Sequence, residues 1–187
     1  LAGKEAADSG EIVLPHGWHA ALLSPEPYVI TWTNVRQNVA MASGVGKTPE
    51  ERYEHALEYV RLVGLEDCAD LSPVELSTGM KQRLGLARVL ASQAEPLLMD
   101  EPFASLDFIT RAELQNQVLQ LQKNMPRTIV LVTHQLDEAL LLGQSVTVMH
   151  ELGKTETFDL SHIPYPRDLS SPELLRLREA VTEACRR

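Results

Sequence analysis

The chain has little basic charge, few cysteines and no long apolar stretch, and each shortage excludes something. Across 187 residues, 17 Lys and Arg face 26 Asp and Glu, a net charge of −9. Phosphate-backbone contacts need a basic face, so a nucleic-acid binder is disfavoured. The longest uninterrupted apolar run is four residues, far below the roughly 18–20 that cross a bilayer. Cys68 and Cys185 lie far apart, with no Cys-x-x-Cys and no histidine spaced for zinc. They read as free thiols in a reducing cytosol. Leu1-Ala2-Gly3-Lys4-Glu5 has neither the basic start nor the apolar stretch of a signal peptide, and no initiator Met. Internal repeats and low-complexity tracts are also absent. What remains, 44% hydrophobic and 23% charged residues, is ordinary globular composition, long enough for one domain or two small lobes.

The periodicity alternates between strand and helix. Ser9 to Gly17 reads as a short strand bounded by turn formers, and Tyr28 to Ala42 is mixed. Thr48-Pro49-Glu50-Glu51 is a capping box with Pro at the first helical position. Tyr53, Ala56, Leu57, Val60 and Val63 continue it as a helical stripe that Gly64 ends. A second helix is predicted over Gly79 to Ala91. Leu97-Leu98-Met99 reads as a strand buried on both faces, ending in Asp100-Glu101-Pro102. Asp107 caps the next helix. Thr128 to Val132 is the most β-branched strand, and Thr133-His134 follows it. A helix from Asp137 to Leu142 and a strand from Ser145 to Met149 complete the alternation. The pattern predicts an α/β fold with a parallel sheet and function at the carboxyl ends of its strands.

Three features there suggest chemistry. Asp100 and Glu101 stand where a buried strand meets the ligand edge, the place for a carboxylate holding Mg²⁺ through water and a second orienting an attacking water. Taken alone, the pair is equally a helix cap or a surface turn. Leu76-Ser77-Thr78-Gly79-Met80-Lys81-Gln82-Arg83 places Ser77 and Gly79 at a helix start, where backbone N–H groups and the dipole face an anion; taken alone, it is a Ser-capped helix. His134 past the strongest strand is by itself more often structural than catalytic.

Together, and in this order, these segments resemble the nucleotide-binding subunits of ABC transporters. Ser77 to Arg83 is similar to the family signature, and Leu97 to Glu101 to the Walker B strand. Ala104-Ser105-Leu106-Asp107 is similar to the D-loop, His134 to the switch histidine, and Leu1 to Ile12 to the segment after the P-loop helix. Thr31 to Ala40, Asp100 to Phe103 and Pro164-Tyr165-Pro166-Arg167-Asp168 resemble importers of the nitrate, sulfonate and taurine group. The resemblance implies a P-loop NTPase (RecA-like) ATPase core, N-terminally incomplete, with a helical signature subdomain. It divides the chain into a partial core at 1–30, the helical subdomain at 31–91, core with Walker B, D-loop and switch histidine at 92–150, and a C-terminal extension at 151–187.

It also implies ATP and Mg²⁺ as cofactors, bound in a head-to-tail dimer. Ser77, Thr78, Gly79, Met80 and Asp107 would contact nucleotide, and Asp100 would hold Mg²⁺. Glu101 would polarise the attacking water and His134 would contact the γ-phosphate. The implied partners are transmembrane permease subunits, a second ATPase subunit and, indirectly, a solute-binding protein. The implied location is cytoplasmic, on the inner face of the cell membrane.

Three departures accompany the likeness. The P-loop Gly-x-x-x-x-Gly-Lys-Ser/Thr belongs before residue 1, so this chain alone is expected to be inactive. Gly44-Val45-Gly46-Lys47-Thr48 nearly spells that motif, but Met41 replaces its first Gly and Thr48 is better used as a cap. Pro25 stands where the family has the Q-loop Gln, and Thr78 replaces a Gly. Two rival readings follow: a degenerate, non-hydrolysing regulatory subunit, or a self-contained P-loop kinase or GTPase using Lys47.

Overall fold

The computed structural model describes residues 2–3, 5–15 and 18–186, in two compact units, Leu1–Val132 and Thr133–Arg187. In the first unit, β1 (Ala21–Leu23), β2 (Leu97–Asp100) and β3 (Ile129–Val132) form a parallel sheet with β2 at its centre. The register aligns Leu22, Leu98 and Val130. Leu97, Leu98 and Met99 are all buried, because a central parallel strand is covered on both faces and has no polar side to alternate with. That places Asp100 and Glu101 at the carboxyl edge of the middle strand. No strand pairs with the other edge of β3 among the described residues, and Val130 and Val132 are exposed.

Helices α1 (Val35–Ala42), α2 (Pro49–Leu62) and α3 (Thr78–Ala91) pack on one another in the same unit. The predicted capping box is present: Thr48 accepts from the Glu51 N–H, and the Glu51 carboxylate reaches back to the Thr48 N–H. Gly64, at φ +64°, lets the chain leave α2 in a left-handed turn. Helix α1 is absent from the sequence-based reading because its stripe is broken by Asn38. That side chain is buried and satisfied: Nδ2 donates to Ile30 O, Thr33 Oγ and Asn34 O, while Oδ1 accepts from the Ile30 N–H at 2.8 Å. A polar residue on an apolar face thus ties the preceding loop to its helix. Gly85 of α3 meets Pro27 and Leu23 so closely that a Cβ would clash with both. Arg88 donates to Tyr28 O, and the segment after β1 is thereby fixed to α3.

One predicted strand is not formed. Residues 9–15 are irregular, with Ile12 and Val13 exposed, and His16 and Gly17 lie outside the described residues. Three apolar residues without a ladder partner do not sustain a strand; the chain pairs with β2 from Ala21 to Leu23.

After Asp107, α4 (Phe108–Asn124) leads into β3. The second unit contains α5 (Leu136–Leu142), β4 (Ser145–Met149), β5 (Thr155–Asp159) and α6 (Pro172–Ala184). Here the all-parallel expectation fails, since β4 and β5 form an antiparallel hairpin aligning Val146 with Phe158. The five residues between them are too few for a helical crossover. Leu140, Val146, Val148, Leu160, Leu174 and Val181 form this unit's core. No described helix is long and apolar enough to cross a membrane.

Candidate functional site

Glu101 has the one positive φ of a described non-glycine residue, +50°. Its N–H donates to Val132 O at 2.9 Å and its carbonyl accepts from the Ala104 N–H at 3.3 Å. The ladder therefore holds one side of the residue and a tight turn the other. Phe103, 1% exposed, anchors that turn in the core. A side chain in the left-handed region costs roughly 1–2 kcal/mol, so the surrounding contacts impose it, as strained positions at functional sites require. The result is a half-buried carboxylate pair, Asp100 and Glu101, at the end of the strand.

The predicted anion-facing segment lies in the same unit. Ser77 caps α3, its hydroxyl accepting from the Met80 N–H at 3.3 Å. Ser77 and Thr78 are exposed, and Gly79 and Met80 half-buried. A 14-residue helix thus opens toward solvent with its positive end accessible. A Cβ on Gly79 would sit 3.4 Å from Ser105 O, so the start of α3 rests on the loop leading to Asp107. One turn on, the buried Gln82 donates through Nε2 to Pro102 O at 3.4 Å. The helix start and the carboxylate turn are therefore one packed block, a link that sequence spacing alone did not single out.

The Asp107 carboxylate accepts from the N–H groups of Ile109 and Thr110, both at 3.1 Å, and so caps α4. Hydrogen bonding from the Thr110 side chain and backbone holds its carboxyl below the usual range. A carboxyl depressed on folding supports α4 above the unfolded value of about 3.9, and that support is lost as pH falls through the folded value. A ¹³C titration of Asp107 is expected to show a midpoint below about 3.9; one at or above that value would contradict the cap.

Gly44 to Thr48 does not form a phosphate loop. The Glu51 carboxylate accepts from the N–H groups of Lys47 at 2.6 Å and Thr48 at 3.3 Å. Gly46, at φ +103°, brings the backbone over the first turn of α2, and Arg52 Nε donates to its carbonyl. The amide donors that an anion would use already hold one. Lys47→Ala is accordingly expected to leave nucleotide affinity unchanged in a binding titration; a clear loss would restore this segment as a phosphate site. Pro25 is exposed in the loop after β1 and offers no side-chain oxygen.

His134 belongs to the second unit, exposed on a bend just before α5. Its neighbours are ordered: Thr133 Oγ donates to the buried Glu138 Oε2 at 2.8 Å and accepts from the Gln135 N–H at 3.0 Å. Sequence reasoning passed over Glu138, whose only signal is an acid four residues after the histidine.

A family model described as "ABC transporter" matches residues 1–104. An ATP-binding protein of Brucella abortus is 42% identical over 158 residues, which is 82% of this chain and 61% of that protein. The aliphatic sulfonates import ATP-binding protein SsuB of Granulibacter bethesdensis is 41% identical over 167 residues, 89% of this chain and 67% of that protein. Among solved structures, the dimeric post-hydrolysis state of the ATP-binding cassette MJ0796 bound to ADP and Pi superposes with a TM-score of 0.67. It is 26% identical, over 75% of this chain and 62% of that one. The chain spans about three fifths of the length of the first curated relatives it matches.

Proposed function

Because the chain belongs to the ABC transporter family, we propose that it carries the signature and Walker B parts of the ATP-binding and hydrolysing subunit of a small-solute importer. The sulfonate-importer likeness supports that cargo class. The observation that carries the reading is the packed block of α3 start, Ser105 and the Glu101–Pro102 turn. It holds an anion-facing helix end and a strained carboxylate in fixed relation.

The residues fit Mg²⁺ and a nucleoside triphosphate. Among the described residues no cluster of three or more His, Cys, Asp or Glu side chains could hold a metal. Mg²⁺ needs no such cage: it takes one or two carboxylates, with water and substrate phosphates supplying the rest. Asp100 is the carboxylate we assign to it. Bound Mg²⁺ supplies charge neutralisation on the transferred phosphoryl group. Glu101 would polarise and orient the attacking water, and His134 would steady the γ-phosphate. Ser77 and Thr78 open to solvent, with Gly79 and Met80 half-buried beside them, which suits an ATP presented by a second subunit to Ser77, Thr78, Gly79 and Met80 in a head-to-tail dimer. Asp107 would act in the nucleotide interface through the α4 cap that it forms. We assign Tyr28 and Trp32, 78% and 83% exposed, to the contact with transmembrane permease subunits. The subunit would then sit peripherally on the cytoplasmic face of the membrane, served indirectly by a solute-binding protein.

Pro25 favours a second reading, a non-hydrolysing subunit that donates its signature segment to an active partner, since proline offers Mg²⁺ no side-chain oxygen. The reading frame upstream of Leu1 separates the two. A strand followed by Gly-x-x-x-x-Gly-Lys-Ser/Thr, ending within roughly fifteen residues of Leu1, is expected for the hydrolysing subunit. A start codon at Leu1 without that motif would overturn it in favour of the second.

A further inference from the structure

We propose that Thr133 and Glu138 are positioning residues for His134, a hydroxyl–carboxylate pair that fixes the backbone on both sides of the imidazole. The inference rests on the role given to His134 above. The Thr133 hydroxyl uses both of its capacities, donating to Glu138 Oε2 at 2.8 Å and accepting from the Gln135 N–H at 3.0 Å. The residues joined in this way are the two that flank His134. Glu138 is 2% exposed, and a hydrogen bond to an ionised acceptor withdrawn from water is stronger than a neutral one.

Burying a carboxylate is costly unless its hydrogen bonds are met. This one is directed at a loop threonine rather than at the unit's apolar core. Gln135, at the cap position of α5, gives no side-chain cap, and the Thr133 hydroxyl accepts from its N–H at the entry to the helix. His134 itself is exposed on a bend, between the two residues that the Thr133 hydroxyl joins. Phosphoryl transfer depends on positioning, and a displacement of about 1 Å can cost a hundredfold in rate. The pair thus supplies to His134 what an exposed bend does not: one backbone conformation from which the imidazole projects.

The test uses the 187-residue chain labelled with ¹⁵N and ¹³C at histidine. Thr133→Val and Glu138→Ala are expected to shift the His134 imidazole and amide resonances. They should also speed its amide exchange roughly fivefold to tenfold, the loss of one net hydrogen bond. Thr133→Ser and Glu138→Gln, which keep a hydroxyl and an acceptor, are expected to hold the wild-type values. His150 and His162, in the same unit, should not move in any variant. Unchanged His134 signals in Thr133→Val would overturn the proposal. So would equal shifts at His150 and His162, which mark general loosening. Should Glu138→Ala fail to fold, the near-isosteric Thr133→Val and the Thr133→Ser control decide. In the hydrolysing subunit, Thr133→Val should lower kcat by about tenfold to a hundredfold, with KM for ATP changed less than about twofold. It should add nothing to His134→Ala. Undiminished turnover in His134→Ala would remove the role of His134 itself, whatever the resonances show.

Discussion

Replacing Glu101 by Gln in the hydrolysing subunit is expected to lower ATP turnover by roughly 10²–10⁴-fold, the usual contribution of a positioned general base. ATP-bound dimer should accumulate, visible as a shift to the dimer on size exclusion with ATP. Gln keeps the length of the side chain and its hydrogen-bonding reach, but not the charge that polarises water. ATP affinity should therefore change little, because the start of α3 and Asp100, the carboxylate we assign to Mg²⁺, are untouched. A second substitution separates chemistry from strain. Glu101 sits at φ +50°, where Gly carries no Cβ penalty, so Glu101→Gly is expected to stabilise the fold by about 1 kcal/mol while also abolishing turnover. Glu101→Gln keeps the strain and should melt with the wild type. Wild-type turnover in Glu101→Gln would remove the assigned role; a Glu101→Gly less stable than Glu101→Ala would show that the backbone there is not strained.

The parts of the site that were legible in the sequence are those built from local interactions. Thr48 and Glu51, Ser77 and Met80, and Asp107 and Thr110 are cap pairs three residues apart, and all three form. The buried strand Leu97–Asp100 was legible because a run apolar on every residue fits the middle of a parallel sheet. The parts not legible depend on partners distant in sequence. Gln82 reaches Pro102 across 20 residues. Asn38 looks like a break in α1 until its bonds to Ile30 and Thr33 are seen. Ile12 to Leu14 has local strand propensity, but a strand exists only by pairing, and β2 receives Ala21–Leu23 instead. Strand β4 was read but its partner β5 was not, because Thr155-Glu156-Thr157-Phe158-Asp159 has a charged, half-exposed alternation whose apolar face is defined only by β4.

Arg167→Met is expected to be the most damaging single change in the second unit, by about 3 kcal/mol or more. Pro164-Tyr165-Pro166-Arg167 reads in the sequence only as a family mark, yet its arginine has a structural task. Arg167 is 8% exposed, and its guanidinium donates to four backbone carbonyls: Leu140 at 2.7 Å, Gly143 at 2.5 Å, Leu160 at 2.9 Å and Ile163 at 3.2 Å. It also lies 4.3 Å from the centre of the Tyr165 ring, whose hydroxyl donates to Leu142 O. Burial draws its pKa below the usual arginine value, but a guanidinium starts so far above neutrality that it keeps its charge. Leu140, Leu142 and Gly143 end α5, so a cation and a hydroxyl satisfy carbonyls that the helix itself cannot, where its dipole is negative. Met keeps an unbranched apolar stem but removes every donor, leaving four carbonyls to find water in a packed interior. Arg167→Lys tests whether charge or shape matters: one ammonium lacks the planar fork, so most of the loss should persist. Thermal unfolding read by hydrogen exchange in α5 and α6 checks both, with the first unit as internal reference. Since α5 carries Glu138 and begins two residues after His134, Arg167→Met should also disorder the His134 bend. Unchanged exchange in α5 would show that the guanidinium is not what holds it.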